Sequence, residues 1–111
     1  MKFLIAALLF FSSQVSALDG TYVRLNGDTV ISFQSSGDFK WTLTEGKREF
    51  VDQGVYEEAT CSQGNYMFYV SDGTSCCMRV REVGSKFLME KSSGLAVRVC
   101  RGGVFQRYNT Q

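Results

Sequence analysis

Apolar and polar positions alternate along most of the chain in runs of five to nine residues. In "FKWTL", Phe39, Trp41 and Leu43 fall on one side, with Lys40 and Thr42 on the other. In "CCMRVRE", Cys76, Met78 and Val80 share one side and Cys77, Arg79 and Arg81 the opposite one. In "LAVRVC", Leu95, Val97 and Val99 alternate with Arg98 and Cys100, while "FVDQGVYEE" and "NYMFYV" alternate poorly. A period of two is the pattern of a half-buried strand. Between the runs stand turn residues: Asn26-Gly27-Asp28, Ser35-Ser36-Gly37-Asp38, Glu45-Gly46, Gln63-Gly64-Asn65, Ser71-Asp72-Gly73, Gly84-Ser85, Ser92-Ser93-Gly94 and Arg101-Gly102-Gly103. Their even spacing predicts an antiparallel meander with hairpin connections and leaves no room for a long helix. A one-sided sheet without helices to cover it must close or fold over on itself. The expected fold is therefore all-β, a small antiparallel up-and-down barrel of about eight strands.

The first seventeen residues, "MKFLIAALLFFSSQVSA", differ from this pattern. A lysine, an apolar run from Phe3 to Phe11 and a small-x-small ending at Ala17 read as a secretory signal peptide, and the apolar run is too short to span a bilayer. Residues 18–111 are then a single barrel domain, periplasmic or secreted and without a membrane anchor. No cysteine follows Ala17 directly, which disfavours a lipid anchor, and no Asn-x-Ser/Thr acceptor occurs, which fits a bacterial source.

Four cysteines in an exported chain this short read as a disulfide framework. Cys76 and Cys77 are adjacent in a strand and point to opposite faces, so they belong to separate bridges. Four cysteines allow three connectivities, and strand parity favours Cys77 with Cys100 and Cys61 with Cys76. A zinc site from the four thiolates lacks the usual Cys-x-x-Cys knuckles. Each bridge would contribute about 3 kcal/mol on the chain-entropy estimate, a large share of the stability of so small a domain.

Charge changes the picture little. Loss of Lys2 with the leader brings basic and acidic groups to parity, yet residues 18–72 are acidic and those from Gly73 onward basic. The chemistry is defined more by what is missing. The chain has no histidine, which removes the usual activator of a serine or cysteine nucleophile and the commonest metal ligand. Glu57 and Glu58 are adjacent and face opposite sides, and the glycines mark hairpins instead of a phosphate-cradling loop. These absences argue against an enzyme, a metal site and a cofactor.

Two features point to binding. Phe39, Trp41, Phe68, Met78 and Phe87 belong to an aromatic-rich set that either fills the barrel or lines a ligand cavity. Arg79, Arg81 and Arg98 are expected to point outward from nearby strands as a basic stripe facing an acidic partner. Nothing matches a nucleic-acid-binding module.

"LDGTY" at the start of the mature chain, the "FQSSGDFKW" hairpin and "GVFQR" near the end together resemble a small lipocalin-like barrel of the calycin type. That resemblance implies a first-strand element, here Gly20 and Tyr22, lying beside an arginine of the last strand, here Arg107, to close one end. Tyr22 stands where the family carries tryptophan, and the family's Thr-Asp-Tyr element is absent. The resemblance implies a binder of a small apolar or amphipathic ligand in a shallow barrel mouth. The alternative is a protein-interaction module, inhibitor or immunity-like, acting on an exported protein through its outer face or hairpin loops. Oligomeric state is left open by the sequence.

Overall fold

The computed structural model describes residues 18–96 and 98–108. It holds eight strands: β1 (Gly20–Arg24), β2 (Thr29–Phe33), β3 (Asp38–Glu45), β4 (Arg48–Cys61), β5 (Gly64–Val70), β6 (Ser75–Val83), β7 (Lys86–Gly94) and β8 (Gly103–Arg107). Each pairs antiparallel with its sequence neighbour, and β8 returns to β1, so the sheet is a closed up-and-down barrel. Closure removes every free strand edge, the usual route to edge-to-edge association. The signal-peptide reading falls on residues 1–17, outside the described residues.

Alternation along the strands sorts the side chains. Tyr22, Ile31, Phe33, Phe39, Trp41, Leu43, Phe68, Met78, Met89 and Phe105 point inward and are buried. The register lays them side by side, with Ile31 opposite Trp41, Tyr22 opposite Ile31, and Phe87 opposite Phe105. Ring contacts run through this core: Trp41 and Phe39 both meet Phe68 edge-on, at 5.8 and 5.2 Å, and Phe87 meets Tyr22 at 4.8 Å. Such pairs contribute beyond their area alone.

The weak alternation of "FVDQGVYEE" has a physical cause. β4 is long, its inward positions at the barrel ends are polar, and Gly54 takes an inward position in the middle. A Cβ on Gly54 would collide with the Tyr69 carbonyl oxygen, so the close approach of β4 to β5 requires glycine there. Beyond Glu58 the β4–β5 register shifts, and the hairpin tip leans toward β6 and β7. Cys61 is bridged there to Cys77, and the Ser92 hydroxyl donates to the Ser62 carbonyl.

Two expectations are corrected. "LAVRVC" is not a strand: residues 95–102 form the β7–β8 connection, because Ser92-Ser93-Gly94 ends β7 within the sheet instead of turning it. Val97 lies outside the described residues. The bridges are Cys61–Cys77 and Cys76–Cys100, the reverse of the pairing that strand parity favours, although the adjacent cysteines do go to separate bridges. Parity failed because Cys100 is not on a strand. It is the third residue of a turn closed by the Arg101 N–H donating to the Arg98 carbonyl, and its φ of 73° turns its side chain into the barrel toward Cys76. Bridges of this kind belong to an oxidising compartment.

Candidate functional site

The barrel has two ends of different character. The lower end is closed by the chain termini of the described region. Arg107, inward on β8 and opposite Tyr22, lays its guanidinium over the Tyr22 ring at 5.0 Å and near Phe87 at 5.6 Å. Its Nη1 donates to the Asp19 carbonyl at 2.7 Å, and Leu18 is buried as part of the core. Gly20 has φ 125° and a Cβ there would lie 2.9 Å from Arg107 Nη1, so the plug needs glycine at this position. Burial pushes the Tyr22 phenol above its ordinary pKa, with the Arg107 charge pulling the other way.

The upper end carries the loops 25–28, 46–47, 71–74 and 95–102. The last of these folds over the opening. Ala96, Val99 and Cys100 are buried against the core, and Cys76–Cys100 ties the loop to the start of β6. The Leu95 N–H donates to the Ser75 carbonyl and Lys91 Nζ donates to the Ala96 carbonyl, so the loop's backbone is anchored as well.

Arg98 projects from this loop toward β4. Its Nε and Nη2 donate to the two carboxylate oxygens of Asp52 at 3.0 and 3.3 Å, and its guanidinium lies 4.7 Å from the centre of the Phe50 ring. The Asp52 side chain is 13% exposed and that of Arg98 39%, so the pair is partly shielded and firmer than an ordinary surface ion pair. Asp52 takes an inward position across from Trp41, and its partly shielded carboxylate at the mouth is stabilised by the Arg98 cation.

Arg98 forms the ridge between two clefts. One, of about 110 Å³, is lined by Asp52, Asp72, Thr74, Leu95 and Ala96 among others. There Asp72 accepts from the hydroxyl and backbone N–H of Thr74, which hold its carboxyl below the ordinary range. The other cleft, of about 390 Å³, is lined by Leu43, Glu45, Phe50, Arg98 and Arg101. Arg101 pairs with Glu45 at 3.2 Å, and the Arg48 guanidinium lies 5.2 Å from the Phe50 ring centre. Leu95, at the rim, is 83% exposed, the most exposed large apolar side chain among the described residues.

The sequence-derived candidates are distributed differently. Phe39, Trp41, Phe68, Met78 and Phe87 are all buried and packed within the barrel. Arg79 and Arg81 do face outward on β6, where Arg79 pairs with Glu90 across the ladder at 3.1 Å. Arg98 does not join them, because it leaves a loop and turns onto β4; the three do not form one stripe. Leu95, Phe50, Asp52, Arg48 and Arg101 were missed as a group, since only the inward fold of residues 95–102 brings them together. The one trace in the sequence is that Leu95 follows a Ser-Ser-Gly cluster and precedes Arg-Gly-Gly, the frame of a long loop.

Comparison of the chain with family models, with curated proteins and with solved structures finds no match.

Proposed function

We propose that this is a non-enzymatic exported module, lipocalin-like in architecture, that binds a protein partner with its upper rim. One observation carries this reading. Leu95 stands exposed on a loop of which Ala96, Val99 and Cys100 are buried, with backbone hydrogen bonds to Ser75 and a cross-link to β6. Exposing an apolar side chain in water is unfavourable, and holding it rigidly lowers the entropy lost on docking. The arginines and the aromatic ring beside it are residue types enriched in interfaces. A small apolar ligand inside the barrel would have to displace the side chains that fill it.

The test is a photo-crosslinking amino acid placed at position 95 of the exported protein in its producing cell. Val83 is also well exposed but sits at the lower end of the barrel, and serves as the control position. A discrete crosslinked protein is expected from position 95 and not from 83, and Leu95→Asp in the protein without the crosslinker should weaken binding to that captured protein about tenfold or more. Saturable, displaceable binding of a fluorescent apolar probe to the folded protein, with no crosslink from position 95, would overturn the reading in favour of a ligand carrier.

A further inference from the structure

Resting on the reading of the upper rim as a contact surface, we infer that the cleft over Phe50 is a receptor for a carboxylate: the partner presents an Asp or Glu side chain, beside an apolar residue, to Arg48, Arg98 and Arg101. Arg98 and Arg101 line this cleft, and the Arg48 guanidinium joins them at its Phe50 wall, so that Arg48 and Arg98 both lie over one aromatic ring. Each guanidinium carries five N–H donors in a planar fork matched to a carboxylate. Arg98 uses Nε and Nη2 on Asp52, leaving Nη1. Arg101 uses Nη1 on Glu45, leaving Nε and Nη2. Arg48 touches the Phe50 ring and makes no ion pair among the described residues.

Two acids answer these three cations, and one of them, Asp52, already accepts from Arg98 with both carboxylate oxygens. The cleft therefore keeps an excess of positive charge and of unused donors over an apolar floor of Leu43 and Phe50. The Phe50 ring holds two of the guanidiniums, those of Arg48 and Arg98, so these are positioned before an anion arrives. Like charges gathered in this way repel, and a carboxylate among them relieves the repulsion while filling the free forks. The apolar floor adds preference for a side chain with carbon next to its carboxylate, and the neighbouring Leu95 meets the apolar residue beside it.

The experiment is a titration of the full mature protein, with its arginine side chains labelled for NMR, by two capped dipeptides, N-acetyl-Leu-Glu-amide and N-acetyl-Leu-Gln-amide. The glutamate peptide is expected to shift the Nε–H signals of Arg48, Arg98 and Arg101 saturably, with affinity falling several-fold when salt is raised. The glutamine peptide is expected to leave them in place. Arg48→Gln, an exposed change remote from the core, should weaken the glutamate peptide about threefold or more, with core signals unmoved. Glu45→Gln should tighten it, because it removes the internal carboxylate that competes for Arg101. An equal response to both peptides, shifts centred on Arg79 and Lys91, or looser binding by Glu45→Gln would overturn the inference. Peptide binding without any crosslink from position 95 would leave the anion site standing and remove the contact-surface reading. A crosslink from 95 with both peptides alike would do the reverse.

Discussion

Single side chains set the limits of this barrel. Trp41 is packed among Ile31, Phe68 and Phe105, and its indole Nε1 is the one buried side-chain polar atom without a hydrogen-bond partner among the described residues. A buried donor left unpaired costs about 1–3 kcal/mol, close to the transfer and cavity cost of trimming an indole to a phenyl ring. Trp41→Phe should therefore change unfolding free energy by less than about 1.5 kcal/mol, measured by denaturant melts, whereas Trp41→Ala should cost about 3–5 kcal/mol. Gly20→Ala should do more harm than its size suggests. It forces a Cβ onto a backbone at φ 125° and against Arg107, and the expected loss is about 1–3 kcal/mol with the Tyr22 ring signals shifted.

At the scale of elements, the two bridges have different duties. Cys61–Cys77 closes 16 positions and fastens a hairpin tip to the outer face of β6, while Cys76–Cys100 closes 24 and fastens the loop that covers the mouth. Removing either pair with serine should cost about 3 kcal/mol. Only loss of Cys76–Cys100 should also speed amide exchange at Leu95 and Ala96, whose N–H groups donate to Ser75. The turns titrate as well. Hydrogen bonds from Thr74 hold the Asp72 carboxyl low; at Asp28 burial pushes up, but the Thr29 hydroxyl and Arg24 together outweigh it. A depressed folded pKa gives stability that is in place above the ordinary value of 3.8 and is lost as pH falls through the lower folded value. Acid melts should show stability falling below that pH, and Asp72→Asn together with Asp28→Asn should flatten the fall.

For the whole molecule, the strands were legible because alternation reports burial directly: Phe39, Trp41 and Leu43, or Cys76, Met78 and Val80, fall inward as their spacing requires. Gly20, Tyr22 and Arg107 come together at the lower end, because antiparallel pairing of the first and last strands in a closed barrel sets Tyr22 opposite Arg107. The upper rim was not legible. Residues 95–100 alternate like a strand, but Leu95 faces water, Val99 the core, and Cys100 turns inward on a positive φ. Nothing in a period of two distinguishes a strand from a loop that is tucked in by a distant cysteine. Asp52 and Phe50 likewise gain their roles only when Arg98 arrives from the loop, 46 positions away for the ion pair.

That inward loop underlies the plugged mouth, the display of Leu95 and the arginine cleft together, and cysteine connectivity in the mature protein tests it most directly. Non-reducing digestion with electron-transfer fragmentation between Cys76 and Cys77 is expected to join Cys76 to Cys100 and Cys77 to Cys61. A bridge from Cys77 to Cys100 would put the loop on the outside of the barrel and contradict the account.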